Sequence, residues 1–166
     1  IQSAYSMPSY DKIQQELKRQ AQVLKESNLS TKECCSVVMN QSRNFWSRVI
    51  TDEDFLNIRL GLGNIPSYVK VRAPEEHFTL DEDNLQEMVF EIDKNSKLLK
   101  DVPITLNLSS QIIISFIFNC SYRKDYINGL LIQLLALHSA LELKLVIFTT
   151  EKNAKDWEFA KFLPHC

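Results

Sequence analysis

The sequence predicts an α/β fold: three layers around a mostly parallel sheet, entered through a helical lead-in. Three observations carry this reading. Apolar residues recur at helical spacing through the N-terminal part of the chain. An unbroken apolar run, "IIISFIF" from Ile112 to Phe118, fits a strand buried on both faces. A long apolar helix follows it and leads to a second apolar segment, "LKLVIFT". Strand, helix and strand with a crossover of about 20 residues make a right-handed βαβ unit. The chain divides into a lead-in or stalk over residues 1–50 and an α/β region over residues 51–166.

Tyr10, Ile13, Leu17, Ala21 and Leu24 sit three and four apart between charged positions, which predicts an amphipathic helix from about Ser9 to Glu26. "STKE" from Ser30 to Glu33 is a capping box and opens a second helix carrying Val37, Val38 and Phe45. A helical turn around Asp52 to Phe55 leads into extended chain. Arg59 to Gly63 alternates, Asn64 to Pro66 reads as a turn, and "YVKVR" alternates again, so a hairpin or two adjacent strands are expected. "DEDNLQEMVFEIDKNSKLLK" is a third helix whose acidic first turn suits the positive end of the helix dipole. After it come "VPITLNL", the apolar run, a helix from about Arg123 to Ser139, and "LKLVIFT". The tail "EKNAKDWEFAKFLPHC" reads as a last helix stopped by Pro164.

The chain has 166 residues and a formal charge of -2, which gives no reason to expect nucleic acid or an anionic membrane as a partner. Glycine is scarce, at Gly61, Gly63 and Gly129, and this disfavours any function built on a glycine-rich loop. Cys34, Cys35, Cys120 and Cys166 lack the spacing of a zinc or redox motif and read as reduced thiols of a cytosolic protein. No apolar stretch reaches the ~18 residues of a membrane span. The start at Ile1 rather than Met suggests a piece of something longer.

The turn after the apolar run, "FNCSYRKDY", stands where a phosphate loop would stand. The G-x-x-x-x-G-K-[ST] template needs glycines so that amides close on phosphate, a Lys to neutralise charge and a hydroxyl to hold magnesium. Laid on this chain, the template matches only at Lys124. Phe118 and Arg123 take the glycine positions and Asp125 the hydroxyl position. Asp125 would face a phosphate with like charge, costing about 4 kcal/mol per unit pair near 4 Å at an effective dielectric of about 20. Two readings follow: a degenerate nucleotide site formed by Asn119, Arg123, Lys124 and Asp125, or a helix N-terminus capped by Asn119, Ser121 or water. The second is favoured.

No catalytic residue and no metal ligand set is assigned, because His77, His138 and His165 lie far apart and no nucleophile motif occurs. His138, on an apolar helix, is expected to be a packed, hydrogen-bonded core residue. Trp157, Phe159 and Phe162 read as core packing. The stretch from Trp46 to Gly63 carries more. Arg48 and Arg59 can pair with Asp52 or Asp54 while Trp46 and Phe55 pin the lead-in to the sheet; equally, Trp and Arg are the residues of interaction hot spots. Structural clamp and contact surface can coexist at Trp46, Arg48, Asp54, Phe55, Arg59 and Trp157.

"FWSRVITDEDFLNIRLGLGNIPSYVKV", "VPITLNL", "LLIQLLALHSALELKLVIF" and "DWEFAKFLPH" together resemble the EssC/EccC group, the membrane-bound FtsK/SpoIIIE-type ATPases of type VII secretion. The similarity spans roughly Pro8 to His165. The region matched lies between that family's transmembrane helices and its first full ATPase domain. The resemblance implies a P-loop-NTPase-like βαβ core, degenerate at the phosphate loop, in a bacterial motor that exports small helical proteins. It implies partners in neighbouring domains of the motor and other secretion components, attachment to the membrane only through the parent protein, and a place at the cytoplasmic face of the cell membrane. ATP and magnesium belong to the parent protein, with no cofactor expected in this domain. The function implied is a non-catalytic coupling or docking domain; the alternative is an active or regulatory ATP-binding domain with a non-standard loop.

Overall fold

The computed structural model of the protein describes residues 7–68, 98–119 and 121–166. Along them run helix α1 (Met7–Ser27), helix α2 (Thr31–Asn40), strand β1 (Asn57–Pro66), strand β2 (Leu98–Asn107), a 3-10 turn (Leu108–Ser110), helix α3 (Arg123–Leu137) and a long 3-10 helix (Glu151–Phe162). The fold is mixed α/β. The helix expected over "DEDNLQEMVFEIDKNSKLLK" and all but the first residue of "YVKVR" lie outside the described residues.

Residues group into two compact units, one of residues 1–28 and 61–104, the other of residues 29–60 and 105–166. In the first, α1 half-buries the apolar stripe Ile13, Leu17, Ala21 and Leu24 expected from its spacing. Its exposed face carries an Arg19–Glu16 pair at 2.7 Å. The hydrogen bonds from Arg19 hold the Glu16 carboxyl down at about 2. Leu99 and Val102 of β2 are buried in this unit.

In the second unit α2 crosses α3. The capping box is formed: the Ser30 side chain accepts from the Glu33 amide, and the Glu33 carboxylate accepts from the Ser30 amide at 2.7 Å. These bonds from Ser30 also lower the Glu33 carboxyl. The helix ends at Gln41 in the left-handed region (φ 44), so Phe45 falls beyond it. Gly129 is what lets α2 approach: a Cβ there would stand 3.1 Å from Thr31 Oγ1. Cys34, Ala136 and Leu137 form the buried cluster, with Leu29 and Ile132 against it. Burial pushes the Cys34 thiol up to about 11, which keeps it protonated and inert.

The strands depart from the expected pattern in two ways. First, β1 runs straight through the turn expected at Asn64 to Pro66, and among the described residues it pairs with β2. The pairing is antiparallel, since Leu108 N–H donates to the Leu56 carbonyl while Asp101 N–H donates to the Asn64 side chain. Gly63 is needed here for space rather than for a turn, because a Cβ would meet Ile104 Cγ1 at 2.9 Å. Second, neither Ile112–Phe118 nor Leu143–Thr149 belongs to a ladder among the described residues. A strand buried on both faces needs helices above and below it, whereas Ile112, Ile113, Ser115 and Ile117 stand exposed. The parallel pairing found is the isolated bridge Arg48–His138.

The tail is helical, of 3-10 type, and ends at Phe162, before Pro164. Its packing explains the geometry. Trp157, Ala160 and Leu163 are half-buried at spacing three, the spacing at which 3-10 side chains eclipse.

Candidate functional site

Helix α3 organises the second unit, and the residues singled out in the sequence collect near its two ends and along one side. At the C-terminal end the last carbonyls of the helix need donors from outside it. Trp46 supplies two: its backbone N–H reaches the Ala136 carbonyl at 3.0 Å and its indole Nε1–H reaches Leu135 at 3.1 Å. Arg48 N–H reaches the Leu137 carbonyl at 2.9 Å. The Leu134 carbonyl accepts from His138, through both its backbone N–H and its ring Nδ1. The segment after α2 is therefore a cap for α3.

Trp46 and Leu56 hold left-handed backbone (φ 54 and 57), costly for large side chains. Trp46 is held there by its backbone and indole N–H bonds to α3, and Leu56 by bonds on both sides. Leu56 N–H donates to His138 Nε2 at 3.0 Å, and the Leu56 carbonyl accepts from Leu108 at 3.0 Å. Phe55 packs edge-on against the His138 ring at 5.1 Å. Buried Arg48 gives Nε to Asp54 at 2.8 Å and its NH1 nitrogen to the Asn57 carbonyl at 2.6 Å. Asp52 instead accepts from Val49 N–H, and Ile50 N–H is taken by Glu142. Along the middle of the helix Gln133 reads the backbone of Arg59 on both sides, accepting its N–H at 2.8 Å and donating to its carbonyl at 3.0 Å. Tyr126 O–H donates to the Leu60 carbonyl at 3.0 Å.

At the N-terminal end, Arg123, Lys124 and Asp125 line an open cleft of about 560 Å3, with Phe118, Asn128, Asn153, Asp156 and Trp157 among its other walls. Lys124 Nζ is bound to Asp156 at 2.6 Å. Trp157 thus belongs here and not with Trp46. Asn119 is exposed and is not among the lining residues. The cap position falls to Tyr122, whose side chain makes no capping bond, rather than to Asn119 or Ser121. Phe118, at the first glycine position of the template, stacks with Phe116 and packs on Tyr126 at 5.5 Å. Among the described residues no group of His, Cys, Asp and Glu gathers at metal-binding spacing.

Gln133, Asp156 and His165 were not singled out as site residues. Gln133 and Asp156 find their partners far along the chain, and no local pattern announces them. His165 donates from Nε2 to the His138 carbonyl at 2.9 Å and stands edge-on to Trp46. Its signal was present in the "LPH" run.

A mixed α/β chain in which the segment after α2 caps α3, and the turn leading into α3 carries a lysine paired with Asp156, is the class these features define. No protein-family model matches the chain. Three curated relatives align along nearly all of it. An ESX secretion system protein EccC of Geobacillus thermodenitrificans is 27% identical over 166 residues, covering 99% of this chain and 11% of its own length. The ESX secretion system protein YukB of Bacillus subtilis is 26% identical, covering 88% of this chain and 10% of its own length. A second EccC, of Thermomonospora curvata, is 24% identical and covers 93% and 12%. The chain is thus a homologue of these ESX secretion system proteins, similar to them along nearly its whole length. It spans about a tenth of the length of the relatives it matches.

Proposed function

We propose that this chain is a non-catalytic, ATPase-related coupling domain of a type VII (ESX) secretion motor, placed at the cytoplasmic face of the membrane between the membrane-spanning and ATPase parts of a longer protein. The kinship supports the system. The order of apolar segment, polar turn, helix and apolar segment supports the ATPase relation. The observation that carries the non-catalytic reading is the Lys124–Asp156 pair: the one lysine left from the phosphate-loop template is neutralised within the domain, beside a second carboxylate at Asp125. A triphosphate in that cleft would break the pair and face both acids. No helix of the described residues is long and apolar enough to cross a membrane. ATP and magnesium then act elsewhere in the motor, and this domain docks to neighbouring domains or other secretion components.

The cap on α3 is the element such docking would use, since Trp46 remains 39% exposed while its indole holds the helix end. In a full-length secretion protein, Trp46→Ala or Arg59→Ala is expected to reduce export, and Lys124→Ala to leave it unchanged. The reading is lost if Lys124→Ala alone stops export while the protein stays folded and abundant.

A further inference from the structure

The 3-10 helix Glu151–Phe162 runs for 12 residues, although such helices seldom hold for more than about four. Its bonds are of the 3-10 type at both ends: Asn153 N–H donates to the Thr150 carbonyl at 2.9 Å, and Leu163 N–H to the Ala160 carbonyl at 3.0 Å. The residues themselves favour the α form. Glu151 and Lys155 stand four apart with the acid first, the better order for an α-helical pair. Among the described residues neither is in an ion pair. Thr150, of a type that caps α-helices, makes no capping bond. A segment whose local preference opposes its conformation is held in place by its surroundings.

Two tethers do the holding, one at each end of α3. Lys124 Nζ, in the first turn of α3, binds Asp156 at 2.6 Å. At the other end, buried His165 donates from Nε2 to the His138 carbonyl at 2.9 Å, and its own carbonyl accepts from Leu145 N–H at 2.8 Å. From Lys124 to His138 the helix measures about 21 Å at α-helical rise. From Asp156 to His165 the chain covers about 14 Å as α-helix and about 18 Å as 3-10 helix. The 3-10 form comes nearer to the length of the helix along which it is tied. Between the tethers, Trp157, Ala160 and Leu163 are half-buried at the spacing that suits it.

We infer that this tail is a two-state strap, stretched as a 3-10 helix while tethered at both ends and recoiling to an α-helix when the Lys124–Asp156 tether is released. Recoil shortens it by about a quarter. It withdraws Asp156 and Trp157 from the cleft wall they share with Phe118 and Asn128, so the tether governs how open the cleft is. The tethering pair is solvent-exposed on both sides, and such a pair is released without unfolding the domain. The strap is independent of the coupling role proposed above.

NMR of the 166-residue chain tests it. Contacts from Hα of residue i to the amide of i+2 belong to a 3-10 helix, and those to the amide of i+4 belong to an α-helix. The parent chain should show the i+2 set across Glu151–Phe162. Asp156→Asn removes the tethering charge without raising helix propensity. It should replace the i+2 set with the i+4 set and strengthen the helical signal in far-ultraviolet circular dichroism. Adding Lys155→Glu, which sets two acids four apart in the α form, should bring back part of the i+2 set. An Asp156→Asn chain that stays folded and keeps the parent's i+2 contacts overturns the inference. So do i+4 contacts through the tail of the parent, or a recoiled tail indifferent to Lys155→Glu.

Discussion

The backbone N–H of Leu56 donates to Nε2 of His138 at 3.0 Å, and this bond sets the chemical state of a fully buried imidazole. With Nε2 accepting, the proton sits on Nδ1 and is given to the Leu134 carbonyl at 2.9 Å. Burial, followed by the positive field of Arg48, depresses the His138 pKa, against the opposing pull of the Leu134 carbonyl, Asp54 and Glu142. Protonation would set two donors face to face and release Leu56 from its left-handed conformation.

His138 should therefore make the fold sensitive to acid. The unfolded imidazole takes up a proton near its ordinary value of 6.5, while the folded one resists until lower pH. The stabilisation is complete above about 6.5 and is lost as pH falls below it. Urea midpoints should drop between about pH 7 and 5, and His138→Gln should flatten that slope. Nitrogen NMR should show the Nδ1–H tautomer at neutral pH. Equal slopes in the two proteins would contradict the assignment.

Asp54→Asn is expected to cost about 1.5–3 kcal/mol, the range for a lost charge-assisted hydrogen bond. Arg48 is almost fully buried and Asp54 is half-exposed, so the loss falls on the arginine side of the pair. Arg48→Lys should not substitute well, because one ammonium cannot hold the geometry that reaches both Asp54 and the Asn57 carbonyl. Chemical denaturation of the two variants measures both effects. A stability within a few tenths of the parent chain would remove Arg48 from the clamp.

Much of the helical part was legible in the sequence. The capping box at Ser30 and the stripe from Ile13 to Leu24 are local patterns, and local physics decides them. The gathering of Trp46, Arg48, Asp54 and Phe55 was legible as a cluster, but its object was not. What it does is cap α3, and the carbonyls of Leu135, Ala136 and Leu137 have no sequence signature. The strand pairing was misread where side chains act at a distance. Asn64 and Pro66 resemble turn residues, yet the Asn64 side chain accepts from Asp101 and the strand continues. The two apolar runs were read as the parallel strands of one βαβ unit, yet among the described residues neither joins a ladder. In the loop, the template comparison isolated Lys124, while its partner Asp156 was hidden by distance along the chain.

Gly129→Val should separate α2 from α3. A Cβ already lies at 3.1 Å from Thr31, and two further methyl groups on a β-branched side chain cannot be absorbed without moving the helix. An overpacking cost of about 1–3 kcal/mol is expected by denaturation. A Thr31→Ala background should recover part of it. Undiminished stability of Gly129→Val would mean that the helices do not cross here.

Asp156→Ala is expected to leave stability within about 1 kcal/mol of the parent, because the pair it forms with Lys124 is solvent-exposed on both sides. The pair occupies the lysine without holding the fold together. A thermal melt decides this, and a large loss would make the pair a structural element instead.

The most direct measurement is calorimetric titration of ATP with magnesium into the chain, repeated with Lys124→Ala and Asp156→Ala. A coupling domain whose loop lysine is neutralised internally should give no saturable binding in the parent or in Lys124→Ala. Tight, magnesium-dependent binding by the parent chain, abolished by Lys124→Ala, would contradict that role and make the cleft beside Phe118 a working nucleotide site.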